Sequence, residues 1–435
     1  MNKLTIAAAI CAALCVSPAQ ARKKPEPTPA KPAPYASTYQ AIASAPVLIQ
    51  NATVLTGTGE RLDNADVLMQ DGKIQAVGKA LSPPGNAKII NGAGKWVTPG
   101  IIDVHSHLGV YANPGIQATS DGNEATNAVT ANVWAEHSVW PQDAGFAKAL
   151  AGGVTSMQIL PGSANLVGGR SVILKNVAAT TFQAMKFPDA PYGIKMACGE
   201  NPKRVYGEKG GPSTRMGNMA GYRAAFIGAE AYRRKWDAYE KGGRQGDAPD
   251  QDLANDTLAG VLRGDVTVNI HCYRADEMAA MIDLSKEFGF QISSFHHGVE
   301  AYKVADLLAK EKICGALWAD WWGFKLEAFD GIEENIALVD RPAGGCAIVH
   351  SDSGEGIQRL NQEAAKVIAS SARAQIAISP ERAITWLTSN AAKALRIDKQ
   401  TGSLEAGKMA DVVVWNGTPF SSYAKAELVF IDGAR

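Results

Sequence analysis

The chain has 435 residues, of which 46% are hydrophobic and 20% charged, values of a globular protein and not of a disordered or membrane-embedded one. Lysine plus arginine number 43, and so do aspartate plus glutamate, which argues against nucleic acid or an anionic membrane as the main partner. The length accommodates a barrel of roughly 250–300 residues together with a small second domain.

In chain order, Met1 and Lys3 precede an apolar run from Leu4 to Val16, then Ser17, Pro18 and Ala19-Gln20-Ala21. This is the plan of a secretory leader, residues 1–21. Cleavage after Ala21 and a periplasmic or secreted location are expected, leaving 42 basic against 43 acidic residues because the leader holds one lysine and no acid. No later stretch reaches the ~18 uninterrupted apolar residues of a transmembrane helix, so stable membrane insertion is not expected. Residues 22–45 form a linker, with five prolines between Arg22 and Pro34 that predict an extended, solvated tether.

Short apolar segments separated by glycine, asparagine and proline turns fill residues 46–100, and the pattern returns over 403–435. Together they predict one β-sandwich assembled from both ends of the chain. Between them, residues 101–402 alternate apolar runs with helical stretches, the mark of a parallel α/β barrel of the (β/α)₈, TIM-barrel type. Its candidate strands are Ile101 to His107, Val154 to Leu160, Ser171 to Leu174, Tyr192 to Cys198, Val266 to His271, Phe290 to His296, Ile313 to Trp318 and Cys346 to Ser351. One unit is too long, and an insertion is placed at about 200–257. Met219, Tyr222, Phe226, Ala229, Tyr232, Trp236 and Tyr239 recur there at helical spacing, predicting a long amphipathic helix that packs on the barrel rather than closing over it. Cys198, Cys272, Cys314 and Cys346 are far apart in apolar runs, a pattern that favours buried thiols over a disulfide framework. No phosphate-cradling loop, dinucleotide fingerprint or Gly-x-Ser-x-Gly elbow occurs, which weighs against nucleotide and serine-hydrolase chemistry.

The segment VTPGIIDVHSHL carries most of the chemical information. Residues two apart on a strand share a side, so His105 and His107 project together and could bind one metal ion. His271, the pair His296 and His297, and Asp352 each sit where an apolar strand run ends, and such barrels place catalytic groups at the C-terminal ends of their strands.

These stretches, with AGGVTSMQIL, NIHCYRADEM, HHGVEAYKVADLLA, IVHSDSG and LTSNAAKALRIDKQTGSLEAGKMADVVVW, make residues 46–435 resemble the amidohydrolase superfamily, in particular its imidazolonepropionase-like and Xaa-Pro-dipeptidase-like branch. The resemblance implies metal ligands at His105, His107, His271, His297 and Asp352. His297 is preferred to His296 because the corresponding ligand is typically followed by a small residue, here Gly298. Members with two metals add a bridging carboxylate; Glu200, in Gly-Glu-Asn-Pro, is favoured for it over a carbamylated Lys195, and a single-metal site stays open.

The implied cofactor is Zn²⁺, one or two ions, or another divalent metal, lowering the pKa of bound water to about 7. Asp352 is the expected proton acceptor and donor, and His271 the expected helper at the oxyanion. Arg204 and Arg274 are candidate grips for a substrate carboxylate, as is Arg215; Trp134, Trp140, Trp321 and Trp322 are candidate pocket walls. The expected partner is a small-molecule or short-peptide substrate, with self-association left open. Hydrolysis of an amide or peptide bond, as in a dipeptide or N-acyl amino acid, is the first functional expectation. Ring opening of a cyclic amidine, imidazolone or lactone at one metal is the second, and a non-catalytic metal-binding scaffold the third.

Overall fold

The protein begins with strands that need both ends of the chain to complete their sheet. The computed structural model describes residues 35–435, so the expected leader and the prolines up to Pro34 lie outside the described residues. Strands β1 (Val47–Leu55), β2 (Arg61–Gln70), β3 (Lys73–Gly78), β4 (Lys88–Asn91) and β5 (Trp96–Pro99) come first. The β2–β3 turn is Asp71-Gly72, both with positive φ (52° and 74°), the geometry of a two-residue hairpin that matches strand twist. β4 and β5 pair in parallel with successive halves of β1.

Eight strands then follow: β6 (Ile101–Ser106), β7 (Val154–Ile159), β8 (Val167–Lys175), β9 (Gly193–Ala197), β10 (Thr267–Cys272), β11 (Ile292–His297), β12 (Cys314–Leu317) and β13 (Ala347–Val349). Each expected barrel stretch overlaps one of them, β8 starting four residues before its expected stretch and β10 and β11 each ending one residue beyond theirs. They lie side by side in sequence order, with helices between them, as an α/β barrel of the TIM type. Finally β14 (Val412–Trp415) pairs antiparallel with β5 and with β15 (Ala426–Phe430). The terminal segments thus build one seven-stranded sheet branched at β1, around a core that includes Val47, Ile49, Val67, Val97, Val412 and Phe430.

The expected all-parallel order needs one correction. β8 runs antiparallel to both β7 and β9. Only residues 160–166 join β7 to β8, too few for the crossover of a dozen or more residues that a parallel neighbour requires. Between β6 and β13 the barrel is closed by single bonds: the Asp352 amide donates to the His105 carbonyl (3.0 Å) and the Ser351 amide to Asp103 Oδ1 (3.2 Å). Gly100 carries the chain from β5 into β6, where a Cβ would stand 2.0 Å from Thr155 Oγ1.

The insertion is dominated by the helix Arg215–Lys241, whose first turn is capped by Thr214 Oγ1 accepting from the Gly217 amide (3.0 Å). Tyr222, Phe226 and Ala229 are buried, and Phe226 stacks on Phe288 and Phe290 with centroids 5.4 and 4.7 Å apart. This is the packing role expected of the apolar stripe, worth roughly 1.5–3 kcal/mol for such a ring.

The expectation of free thiols is overturned: Cys198 is bonded to Cys272 and Cys314 to Cys346, with Cα separations of 5.2 and 4.6 Å. Separations of 74 and 32 residues conceal this, because neighbouring barrel strands lie side by side however long their connection. The end of the expected linker is also tied down. Ser37 Oγ donates to the Lys186 carbonyl (2.7 Å), the Thr38 amide to the Gln183 carbonyl (3.0 Å), and the Tyr39 hydroxyl bonds to Asp432. Among the described residues no helix is long and apolar enough to cross a membrane.

Candidate metal centre

The C-terminal ends of β6, β9, β10, β11 and β13 converge on one cluster of buried imidazoles. Strand alternation places His105 and His107 on one side, their Nε2 atoms 3.2 Å apart, and both face Asp352 Oδ1, at 3.5 and 3.1 Å. His107 Nδ1 lies 2.8 Å from the Leu160 carbonyl, an acceptor only, so the proton belongs on Nδ1 and the lone pair on Nε2.

A longer relay fixes His105. Ser294 Oγ donates to Asn269 Oδ1 (3.0 Å) and therefore accepts from His296 Nε2 (2.8 Å); His296 Nδ1 then accepts from His105 Nδ1 (2.8 Å). This leaves His105 Nε2 as a lone pair too. Three electron-rich atoms, two imidazole nitrogens and a carboxylate oxygen, thus crowd together, an arrangement that a cation resolves. His296 is consequently the support of His105.

His297 lies on the other side of His105, with ring centroids 4.7 Å apart. Its Nδ1 is 3.0 Å from His350 Nε2 and 3.9 Å from Asp352 Oδ2. His105, His297 and His350 form one group of converging ligand atoms, and His105, His107 and Asp352 a second, each with its atoms within 4.8 Å of one another. His297 and Asp352 have positive φ values of 71° and 49°, uncommon for such residues and costing of order 1–3 kcal/mol each. Backbone distortion at both ligand positions fits a site where side-chain direction outweighs local strain.

Burial pushes the His105, His271, His296 and His297 imidazoles well below their ordinary pKa, with the Lys195 charge adding to it, and takes His350 to about 4. All are therefore neutral near pH 7, the form that coordinates metal. Burial alone would raise Asp352, but at the acid pH where this carboxyl titrates the hydrogen bond and charge of a protonated His107, with the charges of Lys195 and His350, outweigh it and hold the carboxyl below its usual range. The residues fit a divalent ion: His350 Nδ1 is buried without a hydrogen-bond partner, and the donor set is the imidazole and carboxylate mixture that suits zinc.

Of the two expected bridges, the structure brings Lys195 and not Glu200 into the cluster. Lys195, on β9, is wholly buried with Nζ 3.2 Å from His105 Nε2 and 3.3 Å from the Pro161 carbonyl, and burial draws its pKa down to about 7. Glu200 opens the helix Glu200–Tyr206 and points to Lys325, 3.5 Å away. The strand pleat puts the mid-strand lysine inside the barrel, whereas the glutamate comes after the chain has turned outward. His271 stands beside His297, ring centroids 4.7 Å apart, but outside both converging groups. Its Nε2 meets Asn201 Nδ2 at 3.3 Å, and Lys325 Nζ, donating to Asn201 Oδ1 at 3.1 Å, fixes that amide's orientation. The His271 proton is then on Nδ1, a donor.

Neither favoured arginine reaches the cluster. Arg274 is bound to Asp276 at 2.9 and 3.1 Å on an exposed helix start, and Arg204 is exposed on the short helix after Glu200. Arg215 is held by Glu277 and Glu327. Trp321 lies near the site, 5.5 Å from Trp318; Trp134 stacks on His137 instead. Sequence reasoning passes over His350, although its position two before Asp352 is a usable signal.

Comparison with known proteins decides the family. A crystal structure of an amidohydrolase from Thermotoga maritima MSB8 is 37% identical, with a TM-score of 0.82 over 89% of this chain and 98% of that one. This chain belongs to the amidohydrolase family. The family model itself, described as the amidohydrolase family, matches residues 344–435, which include His350 and Asp352. Amidohydrolase tasK of Hapsidospora irregularis is 33% identical over 427 residues, 89% of this chain but 43% of that protein. The chain thus spans less than half the length of that curated relative. A prolidase complexed with N-methylphosphonate-L-proline shares the fold at 16% identity and a TM-score of 0.52, covering 90% of this chain and 99% of that one. As an amidohydrolase family member the chain is a hydrolase with a histidine-rich metal-binding site, and the scaffold reading falls away.

Proposed function

We propose that this amidohydrolase cleaves the C–N bond of an acyclic amide in a small substrate, a dipeptide or an N-acyl amino acid, at a two-zinc site, and that it acts after export. The observation that carries the reading is the pair of ligand groups sharing His105, with the Lys195 amine beside it at 3.2 Å. His105, His107 and Asp352 would hold one ion, His105's neighbours His297 and His350 the other, and Lys195 would bridge them after its neutral amine adds carbon dioxide and loses a proton to become a carbamate. When bound, the metal supplies Lewis acidity toward the amide carbonyl and lowers the pKa of water to about 7.

The chain's own groups supply the proton transfers. Asp352 is ionised at neutral pH, so its carboxylate accepts the proton of the attacking water and returns it to the leaving nitrogen. His271 Nδ1, a buried donor with no partner, is available to the developing oxyanion. Export is supported by the leader-like residues 1–21 and by the two disulfides, which persist in oxidising compartments. The test is a panel of dipeptides, N-acyl amino acids, imidazolones and lactones offered to the zinc-loaded protein. Turnover of acyclic amides is expected; efficient ring opening with no cleavage of any dipeptide or N-acyl amino acid overturns the reading.

A further inference from the structure

An aromatic surface leads out of the metal cluster along the loop after β12. Trp318 stacks on His297, centroids 4.2 Å and planes 29° apart, and Trp321 continues 5.5 Å beyond it, 41% exposed. On the neighbouring side Tyr273 packs edge-on against His271 (4.7 Å), and Phe324, 58% exposed, meets Tyr273 at 6.2 Å. Scattered exposed aromatics are ordinary, but a continuous ladder from buried ligands to solvent is a binding surface.

One cation stands on this ladder. Lys325 Nζ lies 4.2 Å from the Tyr273 ring centroid and donates to Asn201 Oδ1 at 3.1 Å. Its acidic neighbours are Glu200, 3.5 Å away, and Glu327, at 3.7 Å and also bonded to Arg215. Only the Asn201 amide separates the ammonium from His271 Nε2, so a carboxylate on Lys325 would belong to a molecule whose next group lies over the cluster.

We propose that Tyr273, Trp318, Trp321, Phe324 and Lys325 form the subsite that selects the substrate: a large apolar or aromatic side chain lies on the rings, and its free carboxylate is held by Lys325. The substrate class becomes N-acyl derivatives of aromatic or large aliphatic amino acids, and dipeptides ending in them. The assignment rests on the amide-hydrolase reading above, and it moves carboxylate recognition from Arg204 and Arg274 to a lysine that the sequence did not single out.

Two measurements on the zinc-loaded full chain test it. In an Asp352→Asn background, to prevent turnover, binding of N-acetyl-phenylalanine and of its uncharged amide is followed by tryptophan fluorescence, for which Trp318 and Trp321 are internal reporters. The acid is expected to bind about tenfold more tightly than the amide, about 1.4 kcal/mol. Lys325→Met should abolish the difference and Lys325→Arg restore most of it. With Asp352 intact, Trp321→Ala and Phe324→Ala should each lower kcat/KM for N-acetyl-phenylalanine relative to N-acetyl-glycine about tenfold, through KM. Equal binding of acid and amide, or a preference that survives Lys325→Met, overturns the subsite. If the binding preference holds and no amide is cleaved, the hydrolytic reading fails and the subsite stands; if amides are cleaved without the preference, the subsite fails and the hydrolytic reading stands.

Discussion

Lys175 and Lys195 are both wholly buried, on adjacent strands β8 and β9, yet their surroundings differ in kind. Lys175 Nζ is met by Asp432 Oδ2 at 2.6 Å and Asp411 Oδ1 at 3.1 Å. Those carboxylates are further engaged by Thr401 Oγ1 (2.8 Å), the Asp432 amide (3.1 Å) and the Tyr39 hydroxyl. It is a closed knot tying the barrel to the C-terminal strands and the start of the described chain. Lys195 has an imidazole and a carbonyl but, among the described residues, no carboxylate in ion-pair range. A buried charge with complete partners is structural, and one without them is either an error of folding or a group meant to react.

Breaking each side of this comparison gives effects of decreasing size. Asp352→Asn should lower kcat by about 10²–10⁴, the usual contribution of a positioned base, while most of the metal stays bound by metal analysis; turnover above about a tenth of wild type would remove the carboxylate from its role. Lys175→Met should cost about 3–5 kcal/mol, because it strands two buried carboxylates, and is read as a fall in midpoint in chemical denaturation. Lys195→Met removes a charge that burial already opposes, so the metal-free protein should be no less stable than wild type. A large loss of stability there would place Lys195 with Lys175 as a structural cation.

The same contrast separates Lys195 from Glu200. Lys195→Ala should reduce bound metal from about two ions per chain to about one, whereas Glu200→Gln should leave the count near two, and acidification should release about one carbon dioxide per chain. The neutral amine is the form that takes up carbon dioxide, and its fraction rises as pH rises through about 7. In protein equilibrated without metal, carbamate content should therefore climb between about pH 6 and 8. Two metals retained by Lys195→Ala, with loss in Glu200→Gln, would return the bridge to the glutamate.

Much of this architecture is legible in the sequence because apolar strand runs ending in histidine or aspartate mark both the element and the face. His105, His107, His297 and Asp352 stand at such ends and do come together. What stays hidden depends on relations across strands. The orientation of β8 is set by the short 160–166 connection, and the two disulfides join residues adjacent only in the closed barrel. The relay from Asn269 through Ser294 and His296 to His105 likewise emerges only once β10 and β11 are side by side. Lys195 is easily underrated because a strand-centre lysine looks remote from a strand-end site, although an inward pleat position near the top of a barrel can reach it with a long side chain.

The smallest effect concerns the arginine that the sequence favoured for the substrate. Arg274 is 42% exposed in its side chain, and both ends of its guanidinium are taken by Asp276. An exposed pair of this kind contributes about 0–1 kcal/mol, since water solvates both charges when the contact opens. Arg274→Ala should accordingly change stability by less than about 1 kcal/mol, and kcat/KM for a carboxylate-bearing substrate by less than about twofold, under about 0.5 kcal/mol. The informative control is Lys325→Ala measured beside it on the same substrate. If Arg274→Ala raised KM as much as Lys325→Ala, the cation recognising the carboxylate would lie at the helix start after β10, and the aromatic ladder would lose its charged end.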